Sequence, residues 1–347
     1  MEFLLGQCAR YPALELWDLL KGLHQSAFGC GHFVTDEERG MELLRQELAL
    51  PGQRADIELL DGPYCRVHLG YLKETGLAPE TLFRLFALSA EGAVDVTALE
   101  ARIETLLALA QEGRLPVSRE EAAAAVEEWR SAGFPACHHS PAFRAAYAPA
   151  YRVIRRDFLW MLPLLSAIDR KRAEKDRVLV ALEGGSASGK TTLSGLLERI
   201  YDCNLFHMDD FFLRPQQRTP QRLAEVGGNV DRERFQEEVL RPLTGGQALQ
   251  YRRYDCCTQT LQPPTVVSPK ALNIVEGAYS MHPALAACYD LSAFLRISPK
   301  LQRARIQKRN SPQLAERFFS EWVPMEQLYF EKTDTAGRCD LILEVEA

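Results

Sequence analysis

The chain has 347 residues, of which 46% are hydrophobic and 25% charged, and its formal net charge is −6. This length favours two domains, and the composition is typical of a globular protein. The acidic balance disfavours a nucleic-acid binder, which needs a basic face, and no apolar run approaches a membrane-spanning length.

The cysteines and the N-terminus indicate the compartment. Nine cysteines, an odd number at irregular spacings, do not form the pattern of a disulfide framework. The N-terminus carries Glu2 and no basic segment, unlike a signal peptide. We therefore expect free thiols and a cytoplasmic location. We expect neither a nucleic-acid partner nor a membrane partner, and a homo-oligomer stays open.

Residues 1–150 are predicted to form a mainly helical N-terminal domain of unassigned function. Apolar residues recur there at helical spacing, and Ser118 with Glu121 matches a capping box. A short strand pair is predicted within 57–69, with a turn at 61–63. The predicted helices span 14–23, 37–50, 80–88, 97–111 and 118–129.

Histidines and cysteines concentrate in this N-terminal domain and raise the question of a zinc site. Their spacing fits no standard zinc pattern, which favours ordinary core and surface positions. As an alternative role, residues 138–140 and 147–152 are candidates for the border of a ligand pocket. The residues concerned are His24, His32, His68, His138 and His139, with Cys30, Cys65 and Cys137.

The second half of the chain has a different pattern. Residues 151–175 are predicted to form one connecting helix with a basic end, and residues 176–347 a second domain. Strands alternate there with helices, which predicts an α/β fold with a five-stranded parallel sheet between layers of helices. The predicted strands span 177–183, 204–208, 271–276, 293–297 and 341–345, and the helices 190–201, 231–243 and 300–309.

The most informative stretch joins the first of these strands to the first helix. It matches the phosphate-binding P-loop pattern and predicts a nucleotide site. Glycines allow backbone N–H groups to face an anion at a helix N-terminus. Lys190 adds a positive charge for the β- and γ-phosphates, and the Thr191 hydroxyl is a ligand for Mg²⁺. The stretch reads Gly184-Gly185-Ser186-Ala187-Ser188-Gly189-Lys190-Thr191-Thr192.

Acidic residues follow or end the next two strands. Because ligands bind at the carboxyl ends of parallel strands, Asp209, Asp210 and Glu276 are expected to face the P-loop. Asp209 is predicted to accept a proton from an attacking hydroxyl or to hold Mg²⁺ through water. A turn or helix-capping role is the alternative for both aspartates. Glu276 is predicted to support Mg²⁺, and an incidental strand-end position is its alternative.

Basic residues cluster on and after the helix that follows the fourth strand. Arg305 and Arg309 are four residues apart and share a helix face. They are predicted to close over the transferring phosphoryl group as a lid, and a solvated surface is the alternative. The cluster comprises Arg303, Arg305, Lys308, Arg309 and Arg317.

Five motifs occur in one order along the chain. They are the P-loop and residues 208–212, 254–255, 274–277 and 318–325. Together they resemble the uridine kinase, nicotinamide riboside kinase and phosphoribulokinase group of P-loop small-molecule kinases. The resemblance covers about half the chain, from Arg177 onward.

The resemblance implies roles for individual residues. Asp209 corresponds to the general base that acts on the acceptor hydroxyl, and Asp231 to an acid that helps at the substrate or metal. Phe211 and Tyr254 correspond to aromatic contacts with the acceptor. Arg305 and Arg309, and less closely Arg317, correspond to lid arginines.

The leading hypothesis is an ATP- and Mg²⁺-dependent kinase acting on a hydroxyl of a small, nucleoside-like or sugar-containing molecule. The alternative is a nucleotide-dependent switch or sensor with the N-terminal domain as effector. No Asn-Lys-x-Asp segment follows the fourth strand, which disfavours a GTPase switch.

Uridine itself is not the expected acceptor. In uridine-cytidine kinases a Tyr-Asp-Phe motif is followed by a His and then an Arg at the pyrimidine pocket. Gln259 and Leu261 stand in those places here. Gln259 keeps the ability to hydrogen-bond a base edge, so it is a predicted acceptor contact.

Overall fold

The computed structural model describes residues 2–30, 36–91 and 95–346. The chain divides into two compact units, Met1–Leu159 and Trp160–Ala347. Within the described ranges, no helix combines the length and apolar content that crossing a membrane requires.

The N-terminal unit is mainly helical, as predicted, and contains one small sheet. Its strands β1 (Ile57–Leu59), β2 (Tyr64–His68) and β3 (Tyr151–Arg155) are antiparallel, with β2 in the centre. Its helices are α1 (Glu2–Arg10), α2 (Leu16–Phe28), α3 (Glu37–Leu48), α4 (Gly70–Thr75), α5 (Pro79–Ser89), α6 (Val96–Gln111), α7 (Arg119–Ser131) and α8 (Pro141–Tyr147).

Helices α2, α6 and α7 enclose the apolar core of this unit. Leu20, Leu106 and Trp129 are at most 1% exposed there. The start of α7 has the predicted capping box, in which the Ser118 hydroxyl accepts from Glu121 N–H and the Glu121 carboxylate accepts from Ser118 N–H.

Residues 151–175 are not one helix, which corrects the prediction. Tyr151–Arg155 forms β3 and pairs with β2, a 3₁₀ helix covers Arg156–Met161, and α9 spans Leu162–Glu174. The sequence misled because the apolar positions of this stretch fit a helix, and the pairing of 151–155 with β2 is a contact between segments distant in sequence. Pro163 stands in the first turn of α9, where a proline is tolerated.

The C-terminal unit alternates strands and helices. Its strands are β4 (Val178–Gly184), β5 (Cys203–His207), β6 (Leu249–Tyr251), β7 (Tyr254–Asp255), β8 (Thr260–Leu261), β9 (Thr265–Val267), β10 (Leu272–Glu276), β11 (Leu291–Ile297) and β12 (Leu341–Val345). Its helices after α9 are α10 (Lys190–Ile200), α11 (Pro220–Ala224), α12 (Arg232–Phe235), α13 (Arg241–Thr244), α14 (Pro299–Arg309), α15 (Pro312–Arg317), α16 (Val323–Thr333) and α17 (Thr335–Arg338).

Five of these strands form the predicted parallel sheet, in the order β5-β10-β4-β11-β12. Every residue of β4 and β10 is buried, as expected for central strands covered on both faces. The register sets His207 of β5 opposite Glu276 of β10, so the carboxyl ends of these strands lie side by side. The predicted α/β class is confirmed.

A buried carboxylate fixes the carboxyl end of β4. Glu183 is 0% exposed, and one of its oxygens, Oε1, accepts from the N–H groups of Gly184 (2.8 Å) and Tyr279 (3.2 Å). The other, Oε2, accepts from Met281 N–H (3.0 Å) and the Tyr329 hydroxyl (3.2 Å). One side chain thus joins the strand to the segment after β10 and to α16.

We expect Glu183→Gln to destabilise the fold, because an amide NH₂ would face N–H donors where an oxygen now accepts. A buried polar group left unpaired costs about 1–3 kcal/mol. Thermal unfolding measures the effect as a lowered Tm. Glu344→Gln is the matched control, since the Glu344 side chain is exposed and pairs with Arg296 at the surface. Equal melting temperatures for the two variants would contradict the proposed anchoring role.

Candidate active site

The backbone of the P-loop is left-handed at several positions. Gly184 and Gly189 have φ angles of +149° and +102°, and Ala187 is left-handed at +59°. A Cβ on Gly184 would lie 2.8 Å from the Leu295 carbonyl oxygen, so this position also needs glycine sterically. The loop leads into the N-terminus of α10, where N–H groups favour an anion.

Two polar side chains of the loop are buried. The Lys190 ammonium donates to the carbonyl oxygens of Gly184 (2.7 Å) and Gly185 (3.0 Å). Ser188 is 1% exposed, and its hydroxyl has no hydrogen-bond partner among the described residues. A cation and an unpartnered hydroxyl within one nest of N–H groups fit a polyphosphate.

Hard oxygen donors lie at the other side of the loop. The Thr191 hydroxyl donates to Glu276 Oε1 (3.2 Å), and His207 Nδ1 lies 2.6 Å from the same oxygen. This hydrogen bond raises the pKa of His207, against the effect of burial. A hydroxyl and a carboxylate suit Mg²⁺, which takes few protein ligands alongside phosphate and water. Thr191 and Glu276 are therefore the residues that would hold it.

Asp209 and Asp210 follow β5 in a single 3₁₀ turn, Met208–Phe211. Desolvation by the surrounding protein raises the pKa of Asp209, although the residue keeps solvent contact, while Lys190, His207 and Arg309 act in the opposite sense. Burial likewise raises the pKa of Asp210, whose Oδ2 has no partner in the described part of the chain. Two carboxylates thus stand at the strand end beside the loop.

The predicted acceptor contacts fall in different environments. Phe211 is 0% exposed and its ring packs on Tyr251 and Phe235, and a contact of this ring with the acceptor stays a prediction. Tyr254 is also buried, with its hydroxyl 3.5 Å from an Arg218 nitrogen. Gln259 is exposed between β7 and β8, where a contact with the acceptor stays a prediction.

Asp231 has a visible structural role. It caps the N-terminus of α12, and its Oδ2 accepts from Gln217 Nε2 (2.9 Å) and lies 3.4 Å from Arg234 Nε. Its backbone N–H donates to the Phe211 carbonyl (2.6 Å). These contacts hold the segment around the acidic turn, and direct help at a substrate or metal stays a prediction.

The lid arginines differ in their partners. Arg305 donates to the Ala187 carbonyl of the P-loop (3.4 Å), and the charge of Arg309 lowers the pKa of Asp209. Arg303 packs on the Phe319 ring. Arg317 packs on Trp322 and pairs with Glu321 (3.2 Å), which gives it a local partner.

Helix α16 holds the P-loop through residues that the sequence analysis missed. Glu326 is 6% exposed, and its carboxylate accepts from Ser186 N–H (2.8 Å) and from the Ser186 hydroxyl (2.6 Å). Gln302 of α14 donates to the Ser186 carbonyl (2.9 Å). The only sequence signal was that Glu326 and Tyr329, one turn apart, both follow the 318–325 motif.

The zinc hypothesis finds no support in the described residues, where no three His, Cys, Asp or Glu side chains surround a metal position. His32 lies outside those residues. The thiols of Cys30, Cys65 and Cys137 donate to backbone carbonyls. His139 instead bridges Asp18 and the Tyr151 hydroxyl, each at 2.7 Å.

Part of the predicted pocket border does line a recess of the N-terminal unit. Residues 147–151 line it together with Tyr11, His68 and Phe143. Beside it lies a buried polar network, in which Arg66 contacts Glu58 and Gln25.

Comparisons with known proteins concern the C-terminal half of the chain. It is similar to a possible uridine kinase from Bacillus stearothermophilus, with 22% identity over 49% of this chain and 89% of that one, at a TM-score of 0.38. It is also similar to a protein assigned as a fructose transport system kinase from Silicibacter sp., with 23% identity over 51% of this chain and 97% of that one, at a TM-score of 0.43. The third is shikimate kinase from Bacteroides thetaiotaomicron, with 15% identity over 48% of this chain and 86% of that one, at a TM-score of 0.27. At these identities the likeness concerns the fold alone. No family model and no curated protein matches the chain.

We expect Glu326→Ala to weaken ATP binding about tenfold, because the loop loses two hydrogen bonds that orient Ser186. Glu326→Gln can still accept from the N–H and donate to the hydroxyl, so it should bind ATP nearly as the wild type does. Calorimetric titration with ATP measures both variants. Wild-type affinity in the alanine variant would show that α16 does not position the loop.

Proposed function

We propose that the chain is an ATP-dependent phosphotransferase that phosphorylates a hydroxyl of a small molecule, nucleoside-like or sugar-containing. The observation that carries the proposal is the placement of Asp209 two residues after the end of β5, where the charges of Lys190 and Arg309 act on it. A base beside a P-loop is what transfer to a hydroxyl needs.

In the proposed reaction, the N–H groups of the P-loop and Lys190 bind the β- and γ-phosphates. Asp209 accepts the proton of the acceptor hydroxyl while the oxygen forms a bond to the γ-phosphorus. The bond between that phosphorus and the bridging oxygen breaks, and ADP leaves with the electron pair. Arg305 and Arg309 stabilise the charge that spreads over the phosphoryl oxygens. Mg²⁺, when bound at Thr191 and Glu276, neutralises phosphate charge.

Two features favour this function over a nucleotide-dependent switch and over uridine phosphorylation. A switch that hydrolyses or senses nucleotide needs no carboxylate pair such as Asp209 and Asp210 after a strand end. For the acceptor, Gln259 and Leu261 replace a His and an Arg of the pyrimidine pocket. The proposal therefore keeps a hydroxyl acceptor, excludes uridine as the physiological one, and places the enzyme in the cytoplasm with ATP and Mg²⁺.

The test is acceptor-stimulated ADP release in two variants. Asp209→Asn cannot take a proton, so we expect stimulated turnover to fall about 10²–10⁴-fold. ATP affinity should persist in this variant. Lys190→Ala should instead weaken ATP binding itself, because the phosphates lose their cation. Unchanged turnover in Asp209→Asn would contradict the role of Asp209 as base.

The same residue predicts the pH dependence. Asp209 must be ionised to accept a proton, and its pKa is raised above the ordinary value of 3.8. kcat/KM should therefore fall as the pH is lowered through a pKa above 3.8, and rise to a plateau above it. The charged groups that act on Asp209 include the cationic side chains of Lys190, His207 and Arg309 and the carboxylates of Asp210, Glu276 and Glu326. A flat profile in the wild type down to the ordinary Asp value would contradict the assignment.

A further inference from the structure

The segment between β5 and β10 is rich in arginine, and most of these arginines are neutralised within it. Five of them have a carboxylate oxygen within 4 Å. The pairs are Arg214–Asp231 (3.9 Å), Arg222–Glu233 (2.8 Å), Arg232–Glu225 (2.8 Å), Arg234–Asp231 (3.4 Å) and Arg241–Glu237 (2.6 Å). Arg252 donates to two backbone carbonyls instead.

Arg218 and Arg253 differ from the others. Both are exposed, and neither has a carboxylate within ion-pair distance in residues 2–30, 36–91 or 95–346. Asp255, two residues from Arg253, accepts from the N–H groups of Cys257 and Thr258 instead. Two guanidinium groups in this segment thus keep donors for a ligand from solvent.

Both arginines are close to the acceptor side of the site. Arg218 Nε donates to the Leu213 carbonyl (3.0 Å), and its Nη2 lies 3.5 Å from the Tyr254 hydroxyl. These two contacts hold the guanidinium group beside Tyr254. The charge of Arg218 lowers the pKa of the Cys256 thiol, and the charge of Asp209 raises the same pKa. Arg253 is the residue immediately before Tyr254, and its charge lowers the pKa of Asp210.

This arrangement has an electrostatic consequence for the acceptor. Asp209 and Asp210 repel an anion that approaches the strand end, whereas Arg218 and Arg253 attract one. A molecule with an anionic group at one end and a hydroxyl at the other fits this distribution of charge. Its anionic group faces the arginines and its hydroxyl faces Asp209. Guanidinium groups bind carboxylate and phosphate in a bidentate manner, which also orients the hydroxyl.

We propose that the acceptor carries a carboxylate or a phosphate, and that Arg218 and Arg253 bind this group. The inference rests on the proposed kinase function and narrows its substrate class. It is independent of the P-loop, because neither arginine contacts the nucleotide loop in the described residues.

The experiment measures ADP release with two sets of matched compounds. One set is glycerol, glycerate and glycerol 3-phosphate, and the other is ribose, ribonate and ribose 5-phosphate. We expect stimulation by charged members and not by neutral ones, and the carboxylate and phosphate arms identify which group is bound. For the best acceptor, Arg218→Gln and Arg253→Gln should each raise KM about tenfold or more and change kcat less. Arg218→Lys should recover part of the loss.

Arg241→Gln is the matched control, because Arg241 is exposed and pairs with Glu237 (2.6 Å), four residues earlier in the chain. Its KM should equal that of the wild type. Stimulation by neutral members alone would overturn the inference and leave the kinase proposal standing. An anionic acceptor with unchanged KM in both glutamine variants would also overturn it. A panel without any stimulation would overturn the inference and the kinase proposal together.

Discussion

The C-terminal unit depends on one buried carboxylate, that of Glu183. Glu183 is the penultimate residue of the central strand and accepts four hydrogen bonds from the P-loop, from the segment after β10 and from α16. Complete burial raises its pKa to about 7, while the backbone donors act in the opposite sense. Because the donors come from three segments distant in sequence, these segments are held in one arrangement. The position of the loop follows from this arrangement, and so does that of α16.

Positive and negative side chains occupy different parts of the site. Lys190 and Arg305 contact carbonyl groups of the P-loop, the charge of Arg309 acts on Asp209, and carboxylates follow or end the neighbouring strands. Thr191 and Glu276 lie between the two regions. A parallel sheet brings such groups together because all its strands end at one edge. The proposed chemistry needs this division, since phosphates require cations and a hydroxyl requires a base.

Local patterns predicted much of the fold and the core of the site. The P-loop, the five strands and the acids after β5 and β10 are each encoded in a few neighbouring residues. Glu326 was missed because its partner Ser186 lies 140 positions away. Residues 151–155 were mistaken for part of a helix because so short an apolar pattern fits both a helix and a strand. Only the pairing with β2 decides between the two. Phe211 follows a motif aspartate but turns into the core, which depends on Phe235 and Tyr251.

The most direct test of the account is the fate of the γ-phosphoryl group. Single-turnover reactions of ATP with the wild-type protein and a mixture of small hydroxyl compounds can be followed by phosphorus NMR. The account predicts a new phosphomonoester signal that grows in step with ADP. Phosphate released only to water, with no ester formed, would contradict it.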